Sequence, residues 1–206
     1  MYRTTKKQKR YWTNRKIDWK TSYFDTWNHP HRGMITTILK QMSFISLWEV
    51  GMGGGANLKR ILEDLKGRPT QLNGCDVNQD AVDFCNQTFQ NGQFHHESGD
   101  NLLMSDKSVD VLLSDMTLIY IQPKDIGRYL KEFRRVTRNY IVLCEFHSRS
   151  WWRRLIARMR GYHVYDYVRE LEKQGYFNVS VYPIPVEMWP GTDHNTEFRS
   201  IIVARP

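Results

Sequence analysis

The sequence predicts an α/β fold: a doubly wound, mainly parallel seven-stranded sheet with an antiparallel C-terminal strand pair and an N-terminal helical extension. Three observations carry this expectation. Short apolar runs alternate with amphipathic helical stretches from residue 46 to residue 176. A glycine-rich loop, "EVGMGGGANL", joins the first apolar run to the first helix. The last two strand-like segments follow one another with no helix between them, which suggests an antiparallel pair at a sheet edge.

The elements read in order as follows. "SLWEV" (46–50) is a buried strand, and 55–66 is a helix with Leu58, Ile61, Leu62 and Leu65 on one face. A strand over 70–78 precedes a helix over 79–90 with the stripe Ala81, Val82, Phe84, Cys85 and Phe89. A weak strand over 92–98 and a stronger one over 109–116 follow. A helix over 124–138 leads into a fifth strand over 139–146. A helix over 164–176 closes at Gly175, and "NVSVYPIPV" and "EFRSIIVAR" complete the seven strands. Ahead of the core, Trp19, Tyr23 and Trp27 are spaced by four, which predicts a helix with one aromatic face. Pro30 in "HPHR" suits the first turn of a further helix carrying Met34, Ile35, Ile38, Leu39 and Met42. No linker divides the 206 residues, so one domain is expected: a basic tail and helical cap over 1–45 and a core over 46–206.

Composition bounds the setting. The chain is 40% hydrophobic, too apolar for disorder. It has no apolar run of the roughly 18 residues a membrane span needs, and its charged start lacks the apolar stretch of a secretion signal. Cys75, Cys85 and Cys144 lack metal-ligand spacing and cannot all pair, so a reducing, cytoplasmic setting without a metal or membrane partner is expected. The net charge of +8 is unevenly placed. Residues 1–20 hold eight basic residues against one acid, and Arg149, Arg153, Arg154, Arg158 and Arg160 form a second basic cluster. Such regions are either solvated faces or contacts for an anionic partner such as nucleic acid.

Gly51, Gly53 and Ala56 fit the dinucleotide pattern G-x-G-x-x-[G/A], which admits a nicotinamide enzyme. Glu49, however, stands where such a loop usually carries an apolar residue. The glycines also form the tighter register E-x-G-x-G-x-G from Glu49 to Gly55, and the chain ends helix–strand–strand. Together these features resemble the class I S-adenosylmethionine-dependent methyltransferases, a Rossmann-like family with seven strands, over about Ser46 to Pro206.

The resemblance implies a site. Asp76, 21–25 residues beyond the loop's glycines, matches the acid that binds the cofactor ribose hydroxyls. Asp100 and Asn101 match the segment beside the adenine. "SDMTLIYI" (114–121) matches the segment lining the methyl-transfer site. The implied cofactor set is Glu49, Gly51, Gly53, Gly55, Asn57, Asp76, Val77, Asp100, Asn101, Asp115 and Met116, with Arg32 pairing the cofactor carboxylate if "HPHR" closes over the methionine end. These residue types suit the ligand: glycines admit a close approach, and a carboxylate accepts two hydroxyl protons or faces an ammonium. Each also has a plainer reading, Asp76 as a turn former and Glu49 as a loop-orienting group.

Candidate bases at the ends of the fourth and fifth strands are Asp115, Glu145 and His147, with Tyr120 weaker. "SDMT" differs from the D/N-P-P-Y/F pattern of amino-methylating nucleic-acid enzymes, and no Pro-Cys pair supplies a cytosine-C5 nucleophile. The stretch from Leu118 to Phe146 resembles methylases of surface-sugar biosynthesis. The expected acceptor is therefore a small-molecule or saccharide hydroxyl, and the expected assembly a monomer or homodimer. Alternatives are a nucleic-acid methyltransferase, with Trp151 and Trp152 stacking on bases beside Arg153 and Arg154, and an inactive cofactor-binding scaffold.

Overall fold

A computed structural model describes residues 4–68, 70–159, 161–190 and 196–206; Arg3 and Arg160 of the two basic regions lie outside them. Seven strands form one sheet: β1 (Ser46–Val50), β2 (Gln71–Asp76), β3 (Phe94–His96), β4 (Val109–Asp115), β5 (Thr137–Phe146), β6 (Phe177–Pro183) and β7 (Arg199–Arg205). Their order is β3-β2-β1-β4-β5-β7-β6. Strands β1 to β5 pair in parallel, and β7 runs antiparallel to both β5 and β6. The expected C-terminal pair is present, with the later strand inserted between β5 and β6.

Alternation along the central strands builds a core on each face. Leu47, Val111 and Leu113 face α3 (Pro30–Lys40), α4 (Ala56–Asp64) and α5 (Gln79–Thr88), packing with Ile35, Leu58, Ile61 and Val82. Trp48, Val50 and Leu112 face the opposite way, against Leu130 and Phe133 of α6 (Ile126–Val136) and Leu171 of α8 (Tyr167–Lys173). The chain winds outward in opposite directions from β1 and β4. Their carboxyl ends therefore diverge at a topological switch point, where a crevice opens.

Three segments depart from the expectations. The basic tail holds α1 (Thr5–Thr13), which is docked on the body. Thr5 Oγ1 donates to Asp125 Oδ2 at 2.6 Å, and Asn78 Nδ2 donates to the carbonyls of Trp12 and Arg15 at 2.7 and 2.8 Å. The single aromatic helix over 19–27 is broken into α2 (Trp19–Ser22) and a 3₁₀ turn (Phe24–Thr26). This backbone runs against the glycine loop, where a Cβ on Gly54 would meet the Trp19 carbonyl at 2.5 Å. Trp19 and Tyr23 keep a common face, with ring centroids 5.3 Å apart, while Trp27 turns to the Lys59 ammonium. Finally, the basic segment after β5 forms α7 (Trp151–Met159).

Candidate active site

The crevice at the ends of β1 and β4 is a cavity of about 300 Å³, within the range of small-ligand sites. The glycine loop forms one wall. Gly51, Gly53 and Gly55 adopt φ of 72°, 52° and 75°, which side-chain-bearing residues rarely take. A Cβ on Gly51 would also strike Thr117, so glycine is required there twice over. Gly51 and Gly53 line the cavity, whereas Gly55 caps α4 behind it.

Asn57, in the first turn of α4, organises the floor. Its Nδ2 donates to Glu49 Oε1 at 2.7 Å and to Asp115 Oδ2 at 3.0 Å. Burial pushes the Glu49 carboxyl up to about 8 against the lowering effect of Asn57. Burial acts the same way on Asp115, but the charge and hydrogen bond of His31, then Arg32 and Asn57, outweigh it and hold that carboxyl below the ordinary range. Glu49 Oε2, Asn57 Oδ1 and Asp115 Oδ1 are buried without a hydrogen-bond partner among the described residues. So is Arg32 Nε, on a side chain that also lines the cavity. Orphaned polar atoms are costly, so these four, together with the unpartnered indole Nε1 atoms of Trp12 and Trp19 on the same lining, point to a ligand.

Asp76 ends β2 beside this floor. Its Oδ2 accepts from the Gly53 amide at 3.0 Å and its Oδ1 from the Asn78 amide at 2.9 Å, tying the loop to the strand. Burial raises its carboxyl, with those amides opposing. Val77 and Met116 also line the cavity, the latter with φ 52°, which turns the chain sharply after Asp115.

Other expected residues lie elsewhere. Asp100 pairs with Arg128 at 2.7 Å, and Asn101 is exposed beyond it; Glu97, Ser98 and Gly99 line the cavity in that segment instead. Glu145 is fully buried behind the wall, where Oε1 accepts from the amides of Thr117 and Leu118, both at 2.9 Å. Burial pushes it up to about 8. His147 Nδ1 accepts from the Tyr167 amide at 3.1 Å, a helix-start contact, and burial lowers its basicity. Neither side chain lines the cavity. Both carry a structural task because β5 ends one strand away from the switch point.

The cover over the cavity comes from the N-terminal extension. Gln8, Lys9 and Trp12 of α1, Trp19 and Tyr23, and His31 and Arg32 of α3 line it, as does Trp189 from the chain's far end. The His31 ring stacks on Trp189 with centroids 3.9 Å apart. Its Nε2 lies 3.0 Å from Asp115 Oδ2 and its Nδ1 2.6 Å from His29 Nδ1. His29 is pulled down to about 4, first by burial and then by His31, so its ring is neutral at pH 7. Cys144 brings a third ligand-type atom within 4.8 Å of this pair, but burial drives its thiol far up, which opposes the thiolate a metal takes. Sequence reasoning missed α1 and Trp189. Trp12 beside the lysines and arginines of this segment was the available signal, and the region read as a solvated face or a contact for an anionic partner.

Comparison with known proteins agrees with this fold. Residues 48–140 match the family model described as a methyltransferase domain. No curated protein matches the chain. Among solved structures, a SAM-dependent methyltransferase from Archaeoglobus fulgidus is 15% identical with a TM-score of 0.62, covering 90% of this chain and all of that one. Magnesium protoporphyrin IX methyltransferase from Synechocystis, solved with bound SAH, is 10% identical with a TM-score of 0.61, covering 96% and 91%. The CurJ carbon methyltransferase is 18% identical with a TM-score of 0.62 over 86% of this chain, which spans about half of that protein.

Proposed function

We propose that the chain is a class I S-adenosylmethionine-dependent methyltransferase, a reading supported by the methyltransferase-domain match over residues 48–140, and that its cavity seats that cofactor with the methionine end on the Glu49–Asn57–Asp115 floor for transfer to a small-molecule or saccharide hydroxyl. The observation that carries this reading is the set of orphaned atoms. Three buried acceptors, Glu49 Oε2, Asn57 Oδ1 and Asp115 Oδ1, suit the three N–H donors of an ammonium. One buried donor, Arg32 Nε, suits the carboxylate of the same amino-acid group. Asp76, whose oxygens each keep a lone pair beyond their backbone bond, is the partner for the ribose hydroxyls. Glu97, Ser98 and Gly99 then border the adenine end in place of Asp100 and Asn101.

When bound, S-adenosylmethionine supplies a methyl group already activated on a sulfonium. The protein's work is alignment and exclusion of water, and holding an acceptor in line is worth roughly 7–11 kcal/mol. Asp115, held ionised, serves as counter-charge to the cofactor's cationic end; its low proton affinity makes it a poor base. Trp12, Trp19, Tyr23 and Tyr120 roof the cavity and offer flat apolar faces on which a ring-shaped acceptor packs. Calorimetric titration with S-adenosylmethionine, S-adenosylhomocysteine and NAD tests the cofactor, and label transfer to a panel of hydroxyl compounds and sugars tests the acceptor. Binding of the sulfur cofactors and not NAD is expected. A lack of transfer to every hydroxyl, with transfer to amines or to RNA, would replace the acceptor class.

A further inference from the structure

The second basic region has an unusual polarity. In α7, Trp151, Trp152, Leu155 and Met159 are 70, 53, 51 and 70% exposed, while Ala157 faces the core. At about 100° per residue these four exposed apolar side chains form one continuous stripe about 100° wide. The helix turns its apolar stripe to solvent. Around it, Arg149, Arg153, Arg154 and Arg158 stand in a segment, 147–165, that contains no acid. Part of this charge is anchored locally: Arg154 Nη1 donates to the Ser148 and Arg149 carbonyls at 2.9 and 2.7 Å, and Arg153 lies 5.5 Å over the Phe198 ring.

The stripe is placed beside the cavity. Tyr162, just after α7, packs against Phe146 and, at 6.4 Å between centroids, against the cavity-lining Tyr120. Tyr120 in turn meets Trp12 of α1 at 5.3 Å. This chain of rings links α7 to α1, on which Lys6, Lys7 and Arg10 are exposed.

We propose that α7, assisted by α1, docks this face of the protein on an anionic lipid surface. Interfacial helices combine this kind of apolar stripe, rich in tryptophan and leucine, with flanking arginines. Nucleic acid would use the arginines and the indoles but leave Leu155 and Met159 without a partner. A second copy of the chain would bring two acid-free cationic helices together, which like charge opposes. The expectation of no membrane partner rested on the lack of a spanning segment; among the described residues no helix is long and apolar enough to cross a membrane, and surface docking needs none.

Sedimentation with lipid vesicles tests this independently of methyl transfer. The full chain is expected to pellet with phosphatidylcholine vesicles containing phosphatidylserine, to pellet weakly with phosphatidylcholine alone, and to be released by salt. The W151S/L155S/M159S variant, altered only at exposed positions, should lose at least about tenfold in vesicle affinity. A separate charge variant, K6Q/K7Q/R149Q, guards against a folding artefact and should also bind more weakly. The proposal is overturned if the unmodified protein stays in solution with anionic vesicles at low salt, or if the apolar variant pellets equally well. It is also overturned if vesicles fail while single-stranded RNA binds, or while the stripe mediates a dimer in sedimentation velocity.

Discussion

His31 Nε2 lies 3.0 Å from Asp115 Oδ2, with the two side chains only 3 and 7% exposed. One residue belongs to the N-terminal extension and the other to the end of β4. The pair therefore fastens the cavity's cover to the sheet and makes the extension part of the site.

Removing residues 1–16 should consequently weaken cofactor binding as well as lower the melting temperature. The deletion takes away Gln8, Lys9 and Trp12 from the cavity and leaves Asn78 Nδ2 without the Trp12 and Arg15 carbonyls. Losing those bonds from a buried amide costs about 1–3 kcal/mol. Unchanged S-adenosylhomocysteine affinity in calorimetry would show that α1 is dispensable to the site.

Asn57→Ala should act on both stability and affinity. It strips the shared donor from two buried carboxylates, at a cost of about 1–3 kcal/mol for each group left short. It also removes one of the three acceptors proposed for the ammonium. Thermal melts with and without S-adenosylhomocysteine separate the two effects: the variant should melt lower alone and gain less from the ligand. A variant as well stabilised by the ligand as the parent would remove Asn57 from the binding floor.

The pH dependence has a definite sign. Glu49 and Glu145 are pushed up to about 8 by burial, from an ordinary value of 4.5. Between those values the folded protein keeps protons that the unfolded chain releases, so stability falls as pH rises through that window. Asp115 works in reverse: held low, its contribution is lost only as pH drops below the ordinary aspartate range. Melts of the free protein from pH 5 to pH 9 should decline steadily, and Glu49→Gln should make the decline shallower. An ammonium placed on Glu49 favours its ionised form, so binding near pH 7 should release a proton. Titrations in buffers of different ionisation enthalpy measure that release, and a buffer-independent heat would count against Glu49 as the ammonium's partner.

The sheet was legible because each strand and helix of the core carries its own local signature. The apolar runs of β1 and β4, the stripe of α4 and the closing Gly175 are such signals. Glu49, Asn57 and Asp76 entered through the resemblance implied by the glycine loop and the strand after it, and all three line the cavity. The segments that depart from expectation depend on distant contacts. The Trp12 carbonyl accepts from Asn78 and its ring meets Tyr120, Trp189 stacks on His31, and the backbone at Trp19 and Phe24 runs against the glycine loop. Charge misled in one place: Lys6, Lys7 and Arg10 are exposed on the same helix whose Gln8, Lys9 and Trp12 line the cavity. Glu145 and His147 were candidates by position at a strand end, but the sheet order sets β5 one strand too far out.

Arg32→Ala separates closure from simple packing. Its Nη1 donates to the Thr26 carbonyl at 3.2 Å while its buried Nε lacks a hydrogen-bond partner among the described residues. The variant should bind S-adenosylhomocysteine at least about tenfold more weakly, the scale of one charge-assisted hydrogen bond. Adenosine, which lacks the amino-acid end, should bind both proteins alike; an equal loss for adenosine would assign Arg32 to the general shape of the cavity.

A structure of the protein with S-adenosylhomocysteine tests the central claim most directly. The account predicts the ligand's ammonium within hydrogen-bonding distance of Glu49 Oε2, Asn57 Oδ1 and Asp115 Oδ1, its carboxylate toward Arg32, and its ribose hydroxyls on Asp76. A ligand seated with its adenine on that floor, or outside the cavity between β1 and β4, would contradict it.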